Sequence, residues 1–319
     1  MTMKRFTLIA ILAIAVAVPG FAASLGSNAR TVIPSQVQQI ISVDYRALKN
    51  SDTGLALKAK VMPENLKQFE TALKGMQIDP DKDVEQLAFV SYRNGKNQLR
   101  AFGLAQGDFQ PKKFYARMKV KKIIPSKYRD SFIYSASGGM VMTFLDDTTM
   151  LFGEQAAVRD ALDTRNGESE SLSSNPQIAD MMSSVESGNI WSVLDQQGTQ
   201  NMMRSALGDA SKLADYDTVK KRLLGSRYTM DLSRGVNFDM DVLTSDTFTA
   251  ATMSSLIQAG MTLKKMNASP VEKAAIDAMS VDSSSGKLQI HFKADDRKFQ
   301  SFMQSDCSRQ FRGSLSSVQ

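Results

Sequence analysis

The stretch Arg227-Tyr-Thr-Met-Asp-Leu232-Ser-Arg-Gly-Val236-Asn-Phe-Asp-Met-Asp-Val-Leu243 decides the fold class. In its second part Val236, Phe238, Met240 and Val242 alternate with Asn237, Asp239 and Asp241, so an extended strand would have one apolar face and one wet face. Arg227 to Leu232 is another strand-like run, and Ser233-Arg234-Gly235 between the two is turn chemistry. An antiparallel hairpin buried on one side is expected.

The reading extends outward from there. Downstream, Ser245 is expected to cap a long helix whose inner face carries Met253, Leu256, Ile257, Gly260 and Leu263. Strands Ala278 to Asp282 and Lys287 to Phe292 follow around Ser283 to Gly286, and Phe299, Phe302 and Met303 mark a short last helix. Upstream, Asn189 to Leu194 reads as a strand leading into helical segments that run to Arg222.

The first half shows the same order. A strand at Gln39 to Tyr45 precedes a helix behind Pro63 with Leu66, Phe69, Leu73 and Met76 on one face. Strands Val84 to Arg93 and Gln98 to Ala105 flank Asn94-Gly-Lys-Asn97, a hairpin signal. A helix at Pro111 to Lys119, strands across Phe132 to Phe152 and a helix at Glu154 to Leu162 complete it. The expected class is therefore α+β: two related units of the split β-α-β kind, residues 37–165 and 177–305, each an antiparallel sheet with helices on one face. The polar, Gly- and Ser-bearing stretch 166–176 is expected to link them.

The start of the 319-residue chain has the parts of a cleavable secretory signal: Lys4 and Arg5, an apolar run from Phe6 to Val18, and small residues at Gly20 and Ala22. The apolar run is too short for a typical spanning helix of about 20 residues. Cleavage after Ala22 would leave residues 23–36 as a polar tether and lower the formal charge from +6 to 6 − 2 = +4. No later stretch is long and apolar enough to span a bilayer, and a periplasmic or secreted location is expected. Cys307 stands alone, so no intrachain disulfide can form; it falls in a tail, 306–319, expected to be disordered.

Two motifs carry a family likeness. Leu73-Lys-Gly-Met-Gln-Ile-Asp79-Pro80-Asp81-Lys82-Asp83-Val84, with Gly107-Asp-Phe109 after the hairpin, and Val141-Met-Thr-Phe-Leu-Asp146-Asp147-Thr-Thr-Met-Leu-Phe-Gly153 leading into Ala156 to Leu162 resemble secreted bacterial proteins built from tandem ferredoxin-like repeats. The resemblance spans about residues 37–165 at motif level. It implies an extracytoplasmic repeat protein of no assigned activity and carries over no functional residue.

Chemical motifs are sparse. Asp79, Asp81, Asp83 and Glu85 alternate like the start of a calcium loop, but Val84 and Val90 stand where that loop needs Gly and Glu, so a helix-to-strand turn using Asp-Pro chemistry is expected. The only histidine, His291, falls on the solvent face of its strand with Lys287, Gln289 and Lys293 as neighbours, none of them a catalytic or metal-binding partner. Ser284-Ser-Gly-Lys287 has Ser-x-x-Lys spacing without the companion elements of that nucleophile. The 19 methionines, including Met181-Met182, Met202-Met203, Met140 and Met142, suit core packing first and an adaptable apolar cleft second; copper would need histidine or cysteine neighbours they lack. No cofactor is called for.

Gln110 to Arg129 departs from this background. It holds Lys112, Lys113, Arg117, Lys119, Lys121, Lys122, Lys127 and Arg129 and no acid, so a processed chain of +4 carries 4 − 8 = −4 elsewhere. Phe114, Tyr115 and Tyr128 are interleaved, and at helical spacing Phe114 or Tyr115 faces the core. Two readings stand: a solvated helix face with an edge strand guarded by lysines, or a contact for an anionic surface such as lipid headgroups or acidic polysaccharide. The functional expectation is a non-catalytic binding or scaffold protein of the bacterial envelope, whose partner is anionic lipid, polysaccharide or another envelope protein, with export arguing against nucleic acid. A carrier of an apolar ligand in a Met-lined cleft is the alternative, and an unfamiliar hydrolase the third reading.

Overall fold

The computed structural model describes residues 24–61, 64–207 and 216–304. The leader at 1–22 and the tail with Cys307 lie outside the described residues. The strands are β1 (Val37–Asp44), β2 (Val84–Arg93), β3 (Leu99–Gly107), β4 (Ser126–Tyr128), β5 (Ser131–Ser135), β6 (Met140–Phe144), β7 (Thr149–Glu154), β8 (Ile190–Leu194), β9 (Leu223–Asp231), β10 (Val236–Thr244), β11 (Met279–Ser284) and β12 (Lys287–Ala294). Helices α1 (Ser27–Thr31), α2 (Tyr45–Lys49), α3 (Asp52–Val61), α4 (Glu64–Gly75), α5 (Pro80–Asp83), α6 (Pro111–Val120) and α7 (Gln155–Arg165) belong to the first half. Helices α8 (Pro176–Ser183), α9 (Gln196–Leu207), α10 (Tyr216–Lys220), α11 (Thr247–Met266), α12 (Pro270–Asp277) and α13 (Asp296–Gln304) belong to the second.

All described strands join one antiparallel sheet in the order β11-β12-β10-β9-β8-β1-β2-β3-β7-β6-β5-β4. The two expected units are thus not separate: β1 pairs β8 from Gln39↔Leu194 to Val43↔Ile190, and this seam makes their sheets continuous. Outward from it, β1-β2-β3-β7-β6 and β8-β9-β10-β12-β11 repeat one order, with the β4–β5 hairpin added only to the first. A split β-α-β crossover occurs in each half, since β3 is parallel to β6 with β7 between them, and β10 is parallel to β11 with β12 between them. The ferredoxin-like double interleaving is absent, because β1 and β2 are direct antiparallel neighbours.

Helices cover both faces of the first half, not one. Alternation sends Ala88, Val90 and Tyr92 of β2 into a core closed by α1, α7 and α8, while Leu87 points to a second core under α4 and α6 with Phe69, Leu73, Phe114 and Met118. The first core crosses the seam through Ile40, Trp191 and Val193. On the second face, α9 and α11 cover Met240 and Val242 with Met203 and Met253. Over β9 the opposite face still meets α8, where Arg227 donates to Ser184, and beyond it over β10 to β11 the face is open: Asn237, Ser280, Asp282 and Lys293 are exposed.

Residues 24–36, expected as a tether, are part of this fold. Leu25, Ala29, Val32 and Ile33 are buried, and α1 carries Arg30 into an ion pair with Glu186. The expected linker docks against the same segment: Leu172 N donates to Ile33 O at 2.7 Å, Ser35 N donates to Glu170 O at 2.9 Å, and Leu172 is buried. Residues 166–170 remain exposed. Proteolytic cleavage there is expected to leave two fragments that co-elute in native gel filtration and separate only in denaturant. Separation without denaturant would mean that the β1–β8 seam does not hold.

Candidate functional site

The basic segment forms one end of the molecule. Pro111 occupies the first turn of α6, and Phe114 and Met118 anchor the helix in the core beneath the sheet. Lys112 and Lys113 ride its N-terminal turn, while Lys119, Lys121 and Lys122 gather at its C-terminus, where the helix dipole favours cations. The helix ends in a Schellman motif: Ile123 N donates to Met118 O at 3.0 Å, and Lys122 N donates to Lys119 O at 3.1 Å. The left-handed residue this requires is Lys122, at φ 57°, where glycine would be relaxed. Lys122→Gly is expected to raise stability by about 1 kcal/mol, read as a higher denaturant midpoint; a lower midpoint would show that the lysine side chain supports the fold.

From this cap the chain runs into β4, the edge strand, whose Lys127 lies opposite Phe132 of β5. Four apolar side chains are exposed here: Val120 at 83%, Ile124 at 90%, Ile123 at 41% and Phe132 at 48%. No reading of the sequence had singled them out. Their signal is phase: Phe114 and Met118 define the buried stripe of α6, and Val120, two residues beyond Met118, falls about 200° away on the helix.

The eight cations do not act alike. Arg129 is held by α7: its Nε donates to Asp163 Oδ1 at 2.9 Å and its Nη1 to Glu168 Oε1 at 3.0 Å, and the Asp163 bond keeps its guanidinium more firmly protonated than usual. Tyr128 Oη donates to the same carboxylate, with the Arg159 guanidinium 4.8 Å from its ring centre. Burial, and then the Asp163 bond, push the Tyr128 phenol up. Arg165 pairs with Asp130 of the hairpin turn, so β4 and β5 are braced on α7. Arg117 is half-buried and donates to Gln77 O at 3.0 Å. Lys112, Lys113, Lys119, Lys121, Lys122 and Lys127 are exposed, and none has an ion-pair partner among the described residues. The interleaved aromatics are internal: Phe114 is buried, and Tyr115 stacks on Tyr134 with ring centres 5.9 Å apart.

Other candidates resolve into structure. Asp79 caps α5 by accepting from Asp81 N at 3.1 Å, as its Asp-Pro turn chemistry requires, and no cluster of three metal-ligating side chains occurs among the described residues. His291 has a partner its sequence neighbours do not supply, Asp239 across the sheet, with Nδ1 2.6 Å from Oδ1. Ser280 is the facing residue on the other side. The three lie in line across neighbouring strands on the open face of the sheet, and no hydrogen bond joins Ser280 to the ring. Ser284 and Lys287 close the β11–β12 turn.

Met181, Met182, Met203 and Met142 are buried in the cores. The Met-lined cleft between α4 and the sheet, bordered by Met76, Met140, Met142 and Met150, encloses a cavity of about 10 Å³. That is room for about one water, far below the 300 Å³ or more of a small-molecule pocket. Among the described residues no helix is long and apolar enough to cross a membrane.

No family model and no curated protein matches the chain. Among solved structures it is similar to the treponemal protein TP0453 in its crystal form I, at TM-score 0.46 and 8% identity over 92% of this chain and 99% of that one.

Proposed function

We propose that the protein is a non-catalytic binding protein of the bacterial envelope, periplasmic or secreted, that attaches to an anionic surface through the end of the molecule formed by α6 and β4. The observation that carries this reading is the group of exposed lysines at the α6 cap and β4, Lys119, Lys121, Lys122 and Lys127, none with an ion-pair partner among the described residues. Six lysines stay available after Arg117 and Arg129 are committed internally. Edge protection of β4 accounts for Lys127 but not for three cations on the helix cap. The carrier reading would need α4 to lift from the sheet, since the Met-lined space beneath it has room for only about one water. The hydrolase reading has only the half-exposed His291–Asp239 pair, with no nucleophile bonded to the ring.

Sedimentation of the processed protein with anionic and neutral vesicles tests the proposal. Each cation near an anionic surface contributes about 1 kcal/mol. Changing Lys119, Lys121 and Lys122 together to Gln is therefore expected to weaken binding by about 100-fold. Binding should also fall steeply with salt as the Debye length shrinks from about 10 Å at 0.1 M to about 3 Å at 1 M. Equal binding by the two proteins, or indifference to salt, would return the segment to a solvated face.

A further inference from the structure

We infer that the anionic surface is a lipid bilayer and that Val120, Ile123 and Ile124 enter its interfacial region; this rests on the reading just given and names the partner of the same site. The lysines alone would serve any polyanion. The aliphatic side chains among them discriminate, because a polysaccharide or a phosphate-rich polymer has no hydrocarbon to receive them, whereas a bilayer offers acyl chains directly beneath its charged headgroups.

The arrangement suits that layering. Lys119, Lys121, Lys122 and Lys127 are interspersed in sequence with Val120, Ile123 and Ile124, all exposed on the helix cap and the run into the edge strand. Long lysine stems can keep their ammonium groups at headgroup level while shorter aliphatic side chains go deeper. Phe132, exposed opposite Lys127, adds an aromatic ring at the same edge.

The fold gives no other reason for Val120 and Ile124. Ile123 is the apolar partner of Met118 that a Schellman cap expects, but Val120 and Ile124 make no use of the core. An edge strand defended against aggregation would be flanked by charge alone, not by two nearly fully exposed β-branched residues. A protein partner is disfavoured by composition, since interface centres are depleted in lysine. The cap is stiffened on both sides, by the two backbone bonds at Lys122 and Ile123 and by the bracing of Tyr128, Arg129 and Asp130 on α7. Little ordering is left for binding to impose.

The test uses the processed protein, vesicles of phosphatidylglycerol and phosphatidylcholine, and heparin as a polyanion without hydrocarbon. Ile124→Trp places a reporter at the cap, while the native Trp191 is fully buried and supplies a constant background. Its emission is expected to shift to shorter wavelength on anionic vesicles and to be quenched by brominated acyl chains, with neither change on heparin. Val120→Ser with Ile124→Ser, both at exposed positions, is expected to lose about 100-fold in vesicle affinity and to keep its affinity for heparin. The triple lysine variant should lose both.

If the serine variant sediments with vesicles as the native protein does, or if the reporter stays water-exposed on vesicles that hold the protein, insertion is overturned and attachment by charge stands. Binding to heparin with none to anionic vesicles would overturn the bilayer and leave a polyanion as the partner. If the native protein binds neither, both readings fail.

Discussion

Truncating Trp191 to alanine is expected to destabilise the protein by about 3–5 kcal/mol. The indole is fully buried on β8, between Ser42 of β1 and Thr229 of β9, in the core that also holds Ile40, Val90 and Met181. Against a total of about 5–15 kcal/mol for a typical domain, that is a large share. Because this core straddles the seam, both halves should lose stability together, and denaturant unfolding followed by circular dichroism should stay a single transition at a lower midpoint. Two transitions, with only one displaced, would show that the halves fold as separate units. Trp191→Phe should recover much of the loss, since it keeps an aromatic ring in the same space.

A comparable loss is expected at the triad of Tyr45, Lys58 and Glu70, where α2, α3 and α4 meet. Lys58 Nζ lies 2.7 Å from Glu70 Oε1 and donates to Tyr45 Oη at 2.6 Å, and Tyr45 Oη donates to Glu70 at 2.6 Å. The ionic side chains are only 17% and 15% exposed, so each charge depends on the other for the solvation it has lost. Burial first, and then the Glu70 carboxylate, hold the Tyr45 phenol well above its ordinary range, keeping it a donor at any physiological pH. Lys58→Met would leave the carboxylate without its cation, at about 3–5 kcal/mol. Lys58→Met combined with Glu70→Leu should be much less damaging than the single change, because no uncompensated charge remains. If the two losses simply add in denaturant melts, the triad is not coupled.

What the sequence showed follows from how local each signal is. The alternation of Val236 to Val242 and the Asn94–Asn97 turn fixed the β9–β10 and β2–β3 hairpins, because period and turn chemistry act within a few residues. The long helix was read with its cap one residue early: Asp246, not Ser245, accepts from Thr249 N at 2.7 Å. The α1 segment was missed because five polar-rich residues bury only Ala29, and its docking depends on Leu25, Val32 and Ile33 meeting a distant core.

Burial of both faces of the first half had a local sign that went unused, the unbroken apolar run Leu87-Ala-Phe-Val90. At the candidate site the charge was legible and its allocation was not. Asp163 and Glu168, which take Arg129, enter from α7 and the turn after it. The partner of His291 likewise comes from the strand register and not from its neighbours.

The placement of β1 at the centre of the sheet has a consequence for biogenesis. A chain made from its N-terminus can pair β1 with β2 early, but the other edge of β1 waits for β8, about 150 residues later. At about 5–20 residues per second, that edge stays open for about 8–30 s. Throughout that interval it presents Val37, Ile40 and the backbone groups of an unpaired strand, the kind of template that recruits other nascent chains. Until Ile190 to Leu194 arrive, nothing in the fold itself covers the edge of residues 37–44 that β8 will pair.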